Sequence, residues 1–137
     1  MERTLALIKP DAIMHATEIC SLITGCFNIL TEKICRLTKV QAEAFYREHE
    51  GKPFFEELCS FMVSGPICAL ILEGENAVRR WRDLMGATDP LKAEQGTIRA
   101  QFGLGMPDNA VHGSADLAAA EREIPFFFAG MDIVDPF

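Results

Sequence analysis

Ile67-Cys68-Ala69-Leu70-Ile71-Leu72 is the stretch on which the reading of the fold turns. Ser64-Gly65-Pro66 precedes this unbroken apolar run and Gly74 closes it, so its length suits a strand and is too short for a separate helix. Upstream, Phe54 to Met62 and Gln41 to His49 each show helical period, with Gly51-Lys52-Pro53 breaking the two apart. Ile29 to Val40 is apolar and β-branched and reads as a long second strand. Before it, Thr17 is placed to cap a helix whose one face carries Ile19, Cys20, Leu22, Ile23 and Cys26. Thr4 to Lys9 (TLALIK) is a first, buried strand closed by the turn Pro10-Asp11.

Downstream, Asn76 to Met85 is helical with Val78, Trp81, Leu84 and Met85 inward. From Gly86 to Asp108 the period vanishes among Pro90, Gly96, Gly103, Gly105 and Pro107. A loop of that length in a small domain points to function. Asn109 to His112 reads as a short strand, and Ser114 as the cap of a last helix ending near Ile124, before Pro125 and Phe126-Phe127-Phe128. The order reduces to βαββαβ with inserted helices, a split βαβ unit in the α+β class with an antiparallel sheet. No repeat or linker divides the chain, which predicts a single domain over 1–137.

The 137 residues are 49% hydrophobic and 24% charged, an ordinary globular balance. Thirteen basic against twenty acidic residues leave a net charge of −7, which argues against specific nucleic-acid binding. No apolar run is long enough to cross a bilayer, and Met1-Glu2-Arg3-Thr4 lacks the order of a signal peptide. The five cysteines, at 20, 26, 35, 59 and 68, are odd in number, irregularly spaced and set in apolar stretches. They read as reduced core residues in a cytoplasmic or otherwise reducing compartment.

Three histidines are available for chemistry. His15 in a turn and His49 at the end of a charged helix read as solvated. His112 ends a short apolar strand after the long loop and is followed by Gly113-Ser114. It is either a turn histidine or a nucleophile, and a nucleophile needs one ring nitrogen free and the other held by an acceptor. Glu123, eleven residues on, is the carboxylate that could fold back to it, and Gly113 would let the backbone turn tightly beside the ring. Lys9, Arg82 and Arg99 are either three solvated charges or, together in an acidic chain, a phosphate clamp. There is no P-loop and no Gly-x-Gly-x-x-Gly following a strand, so a nucleotide would be bound without either.

Ala6-Leu7-Ile8-Lys9-Pro10-Asp11, Lys52-Pro53-Phe54-Phe55, Ser64-Gly65-Pro66, Gly96-Thr97-Ile98-Arg99 and Asn109-Ala110-Val111-His112-Gly113-Ser114 occur in this order. In order and spacing the set resembles the nucleoside diphosphate kinases, from Arg3 to Phe128. The resemblance implies a ferredoxin-like sandwich with a four-stranded antiparallel sheet covered by helices. It implies that His112 takes the γ-phosphoryl group from a nucleoside triphosphate and passes it to a diphosphate, with Glu123 on the other imidazole nitrogen and Ser114 supporting it. Lys9, Tyr46, Arg82, Thr88, Arg99 and Asn109 match phosphate and sugar contacts. Phe54 matches the residue on which the base stacks, with Leu58 beside it and Met106 opposite. Mg²⁺ would bridge the nucleotide's phosphates, with no metal ligand from the protein. Stacking accepts any base, so broad base specificity is expected.

Some positions depart from the pattern. The segment between Asp11 and Glu18 is short, Ala115 follows Ser114 where Asp is usual, and Ala100-Gln101 replaces the common Gly-Asp. The tail after Phe128 is short, and Asp108 stands where a basic residue is common. Tyr46 to Gly51, Trp81 to Gly86 and Ala118 to Ile124 resemble the divergent, cilia- and flagella-associated branch. These features predict a homo-oligomer no firmer than a dimer or weak higher oligomer, with a mobile 86–108 loop. They also raise an alternative: a kinase-like interaction module of low activity in a ciliary or flagellar axoneme, docking to axonemal partners through exposed Phe126, Phe127 and Phe128.

Overall fold

Along the first strand, Leu5 and Leu7 face one side while Ala6 and Ile8 face the other, and all four are fully buried. A strand covered on both faces reads as one continuous apolar run, which is why TLALIK and ICALIL show no alternation. The computed structural model describes residues 1–133. Its elements are β1 (Glu2–Ile8), α1 (Ala16–Thr24), β2 (Asn28–Cys35), α2 (Lys39–Phe45), α3 (Phe55–Met62), β3 (Ile67–Gly74), α4 (Ala77–Met85), α5 (Ile98–Phe102), β4 (Val111–Gly113) and α6 (Leu117–Phe127). The strands form one antiparallel sheet in the order β2-β3-β1-β4. This is the expected ferredoxin-like arrangement.

Leu5, Leu7, Ala69 and Ile71 pack under α2, α3 and α6 through Phe45, Leu58, Met62 and Phe127. Ala6, Ile8, Leu70 and Leu72 pack against Ile19 and Ile23 of α1 and Trp81 and Met85 of α4. β1 pairs with β4 so that Leu7 lies opposite His112. That register puts the histidine on the α2/α3/α6 side, at the end of β1 where Lys9 emerges.

Several local expectations are corrected. Thr17 does not cap α1: the helix begins one residue earlier, at Ala16, with no side-chain cap. Since α1 stops at Thr24, Cys26 is exposed and Phe27 takes the buried place. Only Cys59 and Cys68 are buried, with Cys20 and Cys35 half-buried; all five thiols are unpaired. β2 ends at Cys35, well before Val40, because Thr38 and Gln41 make a reciprocal capping box that starts α2 (3.1 and 2.9 Å). The helix read over 41–49 is α2 followed by a separate 3-10 turn, Arg47–His49.

The 86–108 segment is not structureless. Asp89 caps a 3-10 turn at Pro90–Lys92, and Thr97 caps α5. The segment is tied both to itself and to the strand beyond: Arg99 Nη1 donates to the Gly86 carbonyl at 3.0 Å and Nη2 to that of Val111 at 2.8 Å, while Asn109 Nδ2 donates to the Thr88 carbonyl at 2.8 Å. The cap of α6 is Asp116, which accepts from the Ala119 amide at 2.8 Å, not Ser114. The helix also runs through Pro125 to Phe127. Proline removes one hydrogen bond, and burial of Phe127 and Phe128 in that last turn offsets the loss. Only Phe126 of the three phenylalanines stays partly exposed, so the run is chiefly core and not a docking face.

Candidate active site

One cavity of about 620 Å³ opens at the end of the sheet where β1 stops and β4 begins. Six segments build its wall. The exit of β1 contributes Lys9, and the α2–α3 region contributes Tyr46, His49, Phe54 and Leu58. Arg82 projects from α4, Thr88 and Arg99 come from the long loop, and Met106 and Asn109 lead into His112 on β4. Glu123 closes it from α6. Ser114 lies behind the wall, fully buried.

At the centre His112 Nε2 lies 2.9 Å from Glu123 Oε1, and Ser114 Oγ donates to the same oxygen at 3.0 Å. Ser114 Oγ in turn accepts from the Leu5 amide at 3.4 Å, so β1 anchors the carboxylate's support. Burial pushes the Glu123 carboxyl up, but the His112 and Ser114 hydrogen bonds and the Arg122 charge bring it below the usual range. Burial, helped by the Lys9 and Arg99 charges, lowers His112 in spite of the raising pull of Glu123. The pair is therefore a neutral imidazole beside an ionised carboxylate. An acceptor-only carboxylate puts the ring proton on Nε2 and leaves Nδ1 bare, an available nucleophile. Edge contacts from Phe45 (5.3 Å) and Tyr46 (6.0 Å) hold the ring in place.

The cations are arranged around it unequally. Lys9 Nζ donates to Asn109 Oδ1 at 2.7 Å and to the Pro107 carbonyl at 3.3 Å. Burial, with the Arg99 charge, lowers its pKa to about 8 against the pull of Asp11 and Asp108. Arg99, expected as a free member of a clamp, is largely committed to the backbone: it donates to the carbonyls of Asn109 (3.3 Å), Gly86 (3.0 Å) and Val111 (2.8 Å). It braces the loop against β4 with three of its five N–H groups and still lines the cavity. Burial and the neighbouring Arg82 lower it to about 10. Three cations thus share the cavity wall with three carboxylates, Glu48, Glu57 and Glu123, of which Glu123 is taken up by His112 and Ser114.

Gly113 is required for a reason other than the tight turn expected of it. A Cβ there would lie 2.6 Å from Trp81 Cδ1 and from Met85 Cε, and Trp81 Nε1 donates to the His112 carbonyl at 3.2 Å. The absent side chain lets the indole lie against the backbone that carries the histidine.

A nucleoside diphosphate kinase family model matches residues 2–133. This chain belongs to that family. Its relatives include nucleoside diphosphate kinases of Persephonella marina, 48% identical over 98% of this chain and 99% of that protein, and of Chlamydia felis, 49% identical over 98% of each. Among solved structures, the Aquifex aeolicus nucleoside diphosphate kinase superposes with a TM-score of 0.92 at 42% identity, covering 97% of this chain and 99% of its own. The Halobacterium salinarum enzyme in complex with CDP superposes with a TM-score of 0.92 at 40% identity, covering 99% of this chain and 93% of its own. Family membership makes the chain an enzyme of the phosphotransferase class. The curated relatives compared, at 47–49% identity, are bacterial nucleoside diphosphate kinases, and nothing in them indicates the ciliary branch.

All the expected site residues except Ser114 line this cavity, although they come from positions 9 to 123. His49, expected to be solvated, is half-buried. It lines the cavity beside Phe54 (5.2 Å) and Tyr46 (6.3 Å), and its spacing of three from Tyr46 was the available signal. Asp11, read only as a turn residue, accepts the Ala110 amide at 3.0 Å. Nothing local in the sequence announces a contact across ninety-nine positions.

Proposed function

We propose that this chain transfers the γ-phosphoryl group of a nucleoside triphosphate to a nucleoside diphosphate by way of a phosphohistidine on His112. The observation that carries the reading is the 2.9 Å contact between His112 Nε2 and Glu123 Oε1, which leaves Nδ1 unprotonated on a ring that lines the cavity. In the first step the Nδ1 lone pair attacks the γ-phosphorus in line, the bond to the β,γ-bridging oxygen breaks, and the diphosphate leaves with that electron pair. Glu123 compensates the positive charge that builds on the ring. In the second step a terminal β-phosphate oxygen of the acceptor diphosphate attacks the phosphorus and the N–P bond breaks, returning His112 to its starting form. Positioning and charge neutralisation supply most of the rate in such transfers.

Lys9, Arg82 and the free edge of Arg99 serve the phosphates, with Tyr46, Thr88 and Asn109 on phosphate and sugar. Phe54, 46% exposed at the mouth with Leu58 beneath it and Met106 nearby, offers a stacking face for any base. The nucleotide enters as its Mg²⁺ complex. Mg²⁺ would neutralise charge on the nucleotide's phosphates, and Glu123, already engaged by His112 and Ser114, would stay with the imidazole and not turn to the ion. We further infer a homo-oligomer, in keeping with the open edge of β2 and its exposed Ile34. Five free thiols support a reducing compartment, and among the described residues no helix is long and apolar enough to cross a membrane. No observation favours an axonemal interaction module.

Incubating the chain with γ-labelled ATP and Mg²⁺ tests the reading. Expected are an acid-labile, alkali-stable phosphoprotein, absence of label in a folded His112→Ala variant, and steady-state transfer from ATP to a second nucleoside diphosphate. Label that persists in His112→Ala would refute the assignment, and nucleotide binding without any transfer would refute the activity.

A further inference from the structure

Ala110, two residues before His112, has a backbone φ of +75° and is fully buried. The Val111 amide donates to the Asn109 carbonyl at 2.9 Å across it, which makes Asn109-Ala110-Val111 a γ-turn of the positive-φ kind. That conformation is rare and strained for any residue with a Cβ, and it persists only where the surroundings over-determine it. Here both polar groups of Ala110 are gripped by the segment that leaves β1. The Lys9 amide donates to the Ala110 carbonyl at 2.8 Å, and Asp11 Oδ2 accepts the Ala110 amide at 3.0 Å.

The turn sits at the junction of the site. On one side Asn109 meets Lys9 Nζ through Oδ1 and the Thr88 carbonyl through Nδ2. On the other, Val111 accepts from Arg99 and leads directly into His112. A change of φ at Ala110 swings these two halves relative to each other, moving the phosphate-side groups against the nucleophile.

We propose that Asp11 is a positioning residue for phosphoryl transfer, holding Ala110 in its strained turn so that Asn109 and His112 face the same phosphate. The proposal rests on the phosphohistidine reading above. Asp11 touches neither substrate nor reacting atoms; its carboxylate acts through one backbone amide. Lys9 thus has two tasks, its side chain toward the phosphates and its backbone on the turn, and Asp11 completes the grip from two residues further on. Burial raises the Asp11 carboxyl above its ordinary range, and Oδ1 is buried without a partner, so the residue is held in place at some cost and is no solvated turn aspartate.

Four variants of the full chain test this: Asp11→Ala, Asp11→Asn, Ala110→Gly and the double variant Asp11→Ala/Ala110→Gly. The readouts are the single-turnover rate of His112 phosphorylation by Mg-ATP and the dissociation constant of a non-hydrolysable ATP analogue. Asp11→Ala is expected to slow phosphorylation by about tenfold or more while binding changes less than about threefold, as misplacement of reacting groups does. Asp11→Asn keeps an acceptor oxygen and is expected to retain the rate within about threefold. Glycine takes a positive φ without strain, so the double variant is expected within about threefold of Ala110→Gly alone. That last comparison still decides the matter if Asp11→Ala fails to fold.

A wild-type rate in Asp11→Ala, or a double variant as slow as Asp11→Ala, would overturn the inference. So would an Asp11→Asn as slow as Asp11→Ala, because charge and not grip would then be the cause. Absence of His112 label in the unaltered chain would instead overturn the reading beneath it, which keeps the two failures apart.

Discussion

Replacing Glu123 by Gln tests the centre of the site with the least change in shape. The carboxylate accepts from His112 Nε2 at 2.9 Å and from Ser114 Oγ at 3.0 Å while nearly fully buried. An amide can keep the acceptor oxygen or turn its NH₂ toward the ring, and the second orientation pairs with the tautomer protonated on Nδ1, which cannot attack phosphorus. The charge that would meet the ring's developing positive charge is lost in both orientations. A hydrogen bond to a charged group contributes about 1.5–3 kcal/mol. At about 1.4 kcal/mol per factor of ten, phosphorylation of His112 is expected to slow by roughly 10- to 150-fold. The assay is single-turnover labelling of the protein by Mg-ATP in rapid-quench samples collected across the neutral pH range.

The pH profile adds an independent sign. His112 lies below its ordinary value of 6.5, so the rate is expected to fall only as pH drops through that lowered value and Nδ1 becomes protonated. Glu123 raises His112, so removing its charge moves this acid limb further down while the plateau drops. A variant within about threefold of the unaltered rate would refute the tautomer argument. A limb that moves upward would refute the electrostatic one.

Three further outcomes are expected. The folded-state pKa of Lys9, about 8 against 10.5, means that the folded chain binds fewer protons between those values than the unfolded chain. Stability therefore rises with pH across that window, the penalty being full below it and gone above it; urea unfolding should show a rise in the unaltered chain that exceeds that of Lys9→Met by roughly 3 kcal/mol. Gly113→Ala forces a Cβ to within 2.6 Å of the fully buried Trp81, so it should destabilise the fold by about 1–3 kcal/mol in thermal unfolding. Trp81 is the only tryptophan, so its emission should shift in the same variant, and an unchanged spectrum and melting point would count against the packing argument. Phe54→Ala should raise the KM for ATP, GTP and CTP alike, by the roughly 1–3 kcal/mol of a stacked base, leaving kcat nearly intact; a loss confined to one base would show recognition by edge and not by face.

How much of this was legible in the sequence varies residue by residue, for physical reasons. The strands around TLALIK and ICALIL and the helix bearing Trp81 were legible because burial and period are local properties. The boundaries that failed were decided by side-chain hydrogen bonds competing with period. Thr38 with Gln41 cuts β2 short by a capping box that the sequence itself carries, while Asp116 and not Ser114 starts α6 because Ser114 is held by Glu123 and Leu5. Loop residues 86–108 looked structureless because their order comes from Arg99 and Asn109 bonding to carbonyls, which leaves no periodic trace.

By itself, then, the sequence determined the strand and helix content, the order of the short runs that mark the family, and the residue types available to a phosphate site. Only the tertiary structure decided what each of them does. It turned Arg99 from a free cation into a brace, moved Ser114 from a helix end to the support of Glu123, brought His49 to the cavity wall and put Asp11 on the amide of Ala110. It also determined which imidazole nitrogen is free, since that depends on an acceptor eleven residues away on another element. These are contacts between groups distant along the chain, made only when β1 and β4 pair and α6 folds over them. Local propensity sets which elements form, and the geometry between them sets which atoms meet.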